Sequence, residues 1–389
     1  MHCMKVTNIK LSTVDGFVRA SADIIWEQAG KAPLDFFVET PEEYESAFWA
    51  DPNAFLLAVY LAAWHGGEER IQIDQPICPI LFQNLKVVVP VLKSWYGDVV
   101  HPAPEIEPLA GFKVNNFSAR ESVGLLSCGI DSLGTLRWNK LNIPEGHQLS
   151  ISAGMTIGYH NHTATGKDRA ERIINGRLVT AQAVAKDAGI ALIPALTNIK
   201  FLDKDGWFYT YKSLGSLRSA VACFFSKRFH SSYIATNHTP ISIYPWGSHP
   251  LLDQYYSSAH FRVIHHGVDL TRLEKVALVG GWKTGLDNIR VCQNDDEGVY
   301  NCCTCEKCIL TMCELEALGK LKDSAAFSVK EVTPELLNTI QTYDMIYNDF
   351  QVDFYEEIMP LLEGKGKSDL SEVLKKVLNN YKQKKLAIA

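Results

Sequence analysis

From residue 123 onwards, short apolar runs alternate with amphipathic ones, and this rhythm limits the fold more than any other feature of the chain. Residues 123–127 ("VGLLS") are short and apolar and read as a buried strand. Residues 131–140 are helical. Residues 148–153 ("QLSISA") return to strand, and 166–188 carry a helical period that stops at Gly189. Residues 190–196 form the next strand, 215–230 ("GSLRSAVACFFSKRFH") an apolar-faced helix, and 233–236 ("YIAT") a further strand. Strands that alternate with helices pair in parallel, so the expected class is α/β with a doubly wound parallel sheet. In such sheets a ligand binds beyond the carboxyl ends of the strands.

The flanking regions have a different texture. Residues 1–110 mix strand-like pieces ("ADIIWE", "DFFVET", "RIQIDQP") with helices at 54–64 and 79–96, an α+β pattern. The proline-rich run at 101–111 ("HPAPEIEPLAG") reads as a linker. Residues 323–389 look all-helical and end in "LKKVLNNYKQKK", read as a solvated helix face. Three regions are therefore expected: 1–110 (α+β), 111–322 (α/β) and 323–389 (helical C-terminus).

Acidic residues outnumber basic ones by 44 to 38, giving a formal charge of −6. This balance argues against nucleic acid as the main partner, since gripping phosphates requires a basic face. The longest apolar run, "AFLLAVYLAAW" at 54–64, is too short to span a membrane. No secretory leader is visible in the first residues, so a cytoplasmic location is expected. In a reducing compartment the 10 cysteines need a role other than disulfides.

Half of those cysteines fall between 302 and 313. Cys302, Cys305 and Cys308 are spaced C-x2-C-x2-C, and Cys292 precedes them by ten positions. Four thiolates in a tight knuckle suit a closed tetrahedral Zn²⁺ site. Cys303 competes with Cys302 as a ligand, and Cys302 keeps the regular spacing. Cys313 reads as a packing residue. An iron–sulfur cluster is the alternative occupant.

The stretch "LLSCGIDSLG" at 125–134 connects a strand to a helix. Free backbone N–H groups and the helix dipole make such a connection a ready anion site. Candidate contacts are Ser127, Cys128, Gly129, Ile130, Asp131 and Ser132. The plainer reading is a turn with Asp131 as helix cap. The loop lacks the lysine of a Walker loop and the flanked serine of a hydrolase elbow.

"SCGIDS" resembles the S-G-G-x-D-S signature of the PP-loop ATP pyrophosphatases, of the adenine nucleotide alpha hydrolase-like (HUP) fold. Four of five specified positions match, and Cys128 stands where the family has glycine. A PP-loop followed about 160 residues later by one cysteine and then C-x2-C-x2-C resembles the 7-cyano-7-deazaguanine synthases. "GSLRSAVACFF", "IATNHTPISIYPWGSHPLLD" and "DLTRLEKVAL" carry the likeness further, over residues 120–319. The first 110 residues and the C-terminal tail lie outside the minimal synthase, which suggests an enlarged branch with another substrate.

The resemblance implies ATP with its phosphates on residues 127–132, Mg²⁺ near Asp131, and zinc on Cys292, Cys302, Cys305 and Cys308. It implies an AMP- and pyrophosphate-forming ligase. A carbonyl or carboxyl oxygen of a small molecule or peptide is adenylated, then displaced by a nitrogen or sulfur nucleophile. Asp131, Ser132 and Lys275 are the catalytic candidates, and Asn237, His249 and Asp253 the substrate candidates. Arg218, Arg272 and Lys283 join Lys275 as candidate phosphate clamps. His160 and His162 follow a strand end, and 197–213 is a candidate lid. Two rivals remain open. One is a thiolating enzyme with a persulfide on Cys128 or Cys303. The other is a nucleotide sensor or scaffold without catalysis. A homodimer is also compatible with the chain.

Overall fold

The computed structural model describes residues 2–27, 31–97, 101–119, 121–159, 164–240, 242–292, 300–340 and 350–388. His160 and His162 lie outside them. Ten strands share one sheet: β1 (Cys3–Val14), β2 (Phe17–Trp26), β3 (Leu34–Pro41), β4 (Arg70–Ile73), β5 (Glu105–Pro108), β6 (Glu121–Leu125), β7 (Ile151–Tyr159), β8 (Ala191–Thr197), β9 (Phe229–Ala235) and β10 (Arg262–His266). Their order is β10-β9-β6-β7-β8-β3-β2-β1-β4-β5. The first five in that order pair in parallel, as the alternating rhythm predicts.

Neighbouring strand residues feed opposite cores, because successive side chains leave a strand on opposite faces. Ile193, Ile234 and Val263 enter one core, together with helices α1 (Pro52–His65), α2 (Pro79–Tyr96) and α5 (Leu214–Cys223). Leu192, Tyr233 and Ile264 face the other. That core holds α3 (Ile130–Asn142), α4 (Ala164–Asp187), α6 (Arg272–Gly280) and α7 (Glu306–Leu318). The C-terminal helices α8 (Phe350–Gly364) and α9 (Ser368–Ile388) close it. No described helix is long and apolar enough to cross a membrane.

Two local expectations do not hold, and a third segment takes a form that was not foreseen. The expected linker at 101–111 contains β5, which continues the sheet beside β4. The helix expected over 215–230 stops at Cys223, and β9 starts at Phe229. Serines hid that strand start: Ser231 and Ser122 bond each other across the sheet at 2.6 Å, so the hydroxyls are satisfied inside a strand. The candidate lid is mostly helical turns, Ile199–Phe201, Gly206–Phe208 and a π-helical turn at Tyr209–Ser213.

The sheet also runs across the expected boundary at residue 110. Strand β3 pairs antiparallel with β8 through Val38↔Thr197 and Glu39↔Leu196. Side chains lengthen this short seam. Asn198 accepts from the Phe37 N–H at 2.9 Å and donates to the Asp35 C=O at 2.7 Å. Thr197 donates to the Phe37 C=O at 2.7 Å, and Thr40 to the Pro194 C=O at 2.8 Å. Asn198 is fully buried. Asn198→Ala would leave the Phe37 N–H without its acceptor, a loss of about 1–3 kcal/mol. Urea unfolding should show that loss. A change below about 0.5 kcal/mol would mean the seam does not depend on this side chain.

Candidate functional site

Strand β6 has β7 on one side and β9 on the other. The chain moves outward from β6 through β7 to β8, then returns to β9 on the opposite flank. The two crossovers therefore diverge at the carboxyl end of β6 and open a crevice there. A cavity of about 530 Å³ fills it, lined by Ser127, Asp131 and Ser132 from the β6–α3 loop and by Asn237 after β9. Its size is that of a small-molecule site.

The loop itself departs from the expected geometry in an informative way. Helix α3 starts at Ile130 with Gly129 as its cap residue, and no side chain caps it. The plain reading of Asp131 as helix cap is thus not what is found. The first N–H groups of the helix have no intrahelical acceptor, which leaves them for a ligand. Ser132 Oγ donates to the Gly129 C=O at 3.0 Å and lies 3.2 Å from Ser127 Oγ, so the two hydroxyls sit side by side at the cavity.

The left-handed residue of this turn is Cys128, with φ 59°, while Gly129 is extended at φ −73°. A glycine at 128 would meet this demand without strain. The cysteine meets it with its thiol sunk into the core, 1% exposed, and burial pushes its pKa up to about 12. Ile130 is likewise core. Both therefore contribute backbone, not side chains, to the loop.

Positive charge rings the cavity. Among the described residues, Arg177, Arg218, Arg290 and Lys307 line it, against one carboxylate, Asp131. Of these cations, the sequence points only to Arg218. Lys275 is not on the lining. It lies behind Asp131, 3.7 Å from Oδ1, and its ammonium donates to the Thr236 and His238 C=O groups at 3.0 and 3.1 Å. Burial holds it below the usual lysine range, against the pull of Asp131. Its place is to tie α6 to the end of β9. Arg272 is committed to Glu314 at 2.8 Å and stands 3.9 Å from Asp131. Lys283 pairs with Asp287 on the surface.

The substrate candidates separate in the same way. Asn237 lines the cavity and donates to the Tyr244 hydroxyl at 2.5 Å. His249 and Asp253 do not line it. Asp253 is fully buried, accepting from Ser248 Oγ at 2.7 Å and lying 2.7 Å from His265 Nδ1. His249 caps the following turn by accepting from the Leu251 N–H at 3.0 Å, and burial pushes its pKa down to about 4. Tyr209, Thr210 and Trp246 occupy the wall instead. The π-helical turn supplies the first two. Gly247 passes so close to it that a Cβ there would lie 2.7 Å from the Thr210 oxygen. The N-terminal region braces this wall, since Tyr96 donates to the Tyr211 C=O at 2.9 Å.

The cysteine knuckle borders the same cavity. The Sγ atoms of Cys292, Cys302, Cys305 and Cys308 all lie within 4.8 Å of one another, an arrangement that could hold a metal ion such as zinc. The Cys305 N–H, at 3.2 Å, and the Thr304 N–H and hydroxyl, at 3.5 and 3.4 Å, all point at Cys302 Sγ. Such donors stabilise a thiolate ligand. Burial alone would raise the Cys302 pKa, and these donors outweigh it and bring it below the ordinary value. Cys303 turns away into the core and approaches Ser328 at 3.5 Å. Asn301 fastens the knuckle: its Oδ1 accepts from the Val291 and Cys292 N–H groups at 3.0 and 3.3 Å. Its Nδ2 donates to the Ile289 and Ala326 C=O groups at 2.8 and 2.9 Å.

No protein-family model, curated protein or solved structure matches the chain.

Two results follow from this geometry. Cys128→Gly removes about 1 kcal/mol of left-handed strain and a similar thiol burial, so stability should stay within about 1 kcal/mol. Cys128→Val should cost more than about 2 kcal/mol, because a β-branched side chain resists positive φ. Equal unfolding midpoints for the two would contradict this conformation. In the purified chain, elemental analysis should find one bound metal, lost in Cys302→Ser and kept in Cys303→Ser. The reverse outcome would exchange the ligand assignment.

Proposed function

We propose that the protein is an ATP-dependent adenylating enzyme that releases pyrophosphate. The observation that carries this reading is the uncapped start of α3 with two paired serine hydroxyls, placed on a cavity lined by four cations. Together they form a concave anion site where an open α/β sheet binds its ligand. "SCGIDS" on this loop, with its likeness to the PP-loop signature, points to the polyphosphate of ATP.

The chain's own groups have defined tasks in such a reaction. A substrate oxygen attacks the α-phosphorus, and the bond to the bridging oxygen of the β-phosphate breaks. The electron pair leaves with pyrophosphate. The N–H groups at the start of α3 and the hydroxyls of Ser127 and Ser132 hold the departing phosphates. Arg290 and Lys307 balance the charge that grows on them. Mg²⁺ usually takes one or two carboxylates plus phosphate oxygens, so Asp131 suits an ion that arrives with the nucleotide. Such an ion would supply further charge neutralisation. A nitrogen or sulfur nucleophile then displaces AMP from the acyl carbon. The substrate sits toward Asn237, Tyr209 and Trp246.

A persulfide on Cys128 fits this site poorly. Its thiol is buried and protonated at neutral pH, and the thiolate is the reactive form. Cys303 is also buried. The ligase reading is therefore preferred over the thiolating one. The acyl substrate, a small molecule or a peptide, is left to its chemistry as a carboxylate or amide.

Calorimetric titration with ATP and Mg²⁺ tests the reading. The wild type should bind. Ser132→Ala should weaken binding by about tenfold, the loss expected for one charge-assisted hydrogen bond. With ATP labelled in the α-phosphate, turnover of candidate carboxylates and amides should yield AMP. Absence of binding, or labelled ADP as the product, would overturn the proposal.

A further inference from the structure

The four cysteines look at first like a fold staple, remote from chemistry. Their positions relative to the cavity suggest more. Cys292 itself lines the cavity, and so do Arg290, two residues before it, and Lys307, between Cys305 and Cys308. The chain segments that carry the four cysteines are therefore the segments that present Arg290 and Lys307 to the cavity.

The coupling continues into the loop. The Arg290 N–H donates to the Cys128 C=O at 2.8 Å. That bond holds the left-handed residue of the turn, directly before the start of α3. The Arg290 carbonyl lies 3.7 Å from the point where a Cβ on Gly129 would be, so the two backbones pack together. Asn301 joins both halves of the knuckle to residues 289 and 326. One short stretch, 289–292, thus touches the metal ligands, the anion loop and the cavity at once.

We infer that the four-cysteine knuckle is a positioning device of the anion site. A bound metal fixes where Arg290 and Lys307 stand and braces the turn at Cys128. The four cysteines are positioning residues, and Arg290 and Lys307 are the groups that meet phosphate. Without the metal, four thiols no longer share one centre. The segments 289–292 and 302–308 then lose that common tie and keep the hydrogen bonds of Asn301 and of the Arg290 N–H. This inference rests on the proposed polyphosphate site.

The coupling must be reciprocal. If metal improves phosphate binding, bound phosphate must improve metal binding by the same factor. The test uses Zn²⁺ and inorganic pyrophosphate as probes on the full chain. Pyrophosphate affinity is measured by calorimetry before and after zinc removal by a chelator, with near-ultraviolet circular dichroism to check folding. Zinc-free, folded protein should bind pyrophosphate at least about tenfold more weakly, the weight of one charge-assisted contact. Arg290→Ala/Lys307→Ala should keep its zinc, bind pyrophosphate weakly, and lose much less than the wild type when zinc is removed.

The second measurement avoids zinc-stripped chains. Saturating pyrophosphate should raise the zinc affinity of the wild type, measured by competition with a chelator, and should raise it much less in Arg290→Ala/Lys307→Ala. Equal pyrophosphate affinity with and without zinc, or equal zinc affinity with and without pyrophosphate, would overturn the coupling while leaving the nucleotide reading intact. Failure of the wild type to bind either pyrophosphate or ATP would overturn both.

Discussion

The parting of the chain around β6 is the constraint on which the rest depends. Because β7 and β9 flank the same strand, the connections leaving and entering there cannot cover its carboxyl end. A crevice is forced open where the β6–α3 loop ends. Every group with chemical potential in this region is then a matter of what the sequence delivers to that opening. The loop delivers backbone N–H groups and two hydroxyls. The segment after β9 delivers Asn237, and the knuckle delivers Arg290 and Lys307.

The N-terminal strands take part in this arrangement through the sheet. The seam of β3 on β8 involves two backbone pairings, yet Asn198 and Thr197 make it a continuous part of the sheet. Helix α2 then reaches the distal wall, where Tyr96 holds Tyr211 and Trp95 packs on His249 at 4.5 Å between ring centres. The segments that a sequence reader would set apart as an extra region are packed against the wall of the cavity. A region that braces a cavity wall can alter what the cavity admits.

Much of the α/β rhythm was legible because burial on both faces of a parallel sheet leaves short, uniformly apolar strands. Helix α2 was readable to the residue, since Pro79 opens it and Gly97, at φ 62°, closes it. Strand β9 was not, because its Ser231 finds its partner only across the sheet, in Ser122 of β6. The cluster of four cysteines that could hold a metal followed from spacing alone. Arg290 and Lys307 did not, although each stands within two residues of a ligand, because nothing local says that the knuckle meets the loop. His249 and Asp253 misled for the opposite reason. A histidine and an aspartate beside a proline turn have the composition of a site, and here they are caps and buried partners. Cys128 is the subtlest case: its sequence position suggested sulfur chemistry, while its φ and burial make it a stand-in for glycine.

The central claim is that residues 127–132 hold the phosphates of ATP. A crystal structure with α,β-methylene-ATP, which cannot break at the bond in question, tests it most directly. The terminal phosphates should lie within hydrogen-bond reach of the N–H groups at the start of α3, the hydroxyls of Ser127 and Ser132, and the side chains of Arg290 and Lys307. A triphosphate bound elsewhere, or turned so that only the base meets the loop, would contradict it.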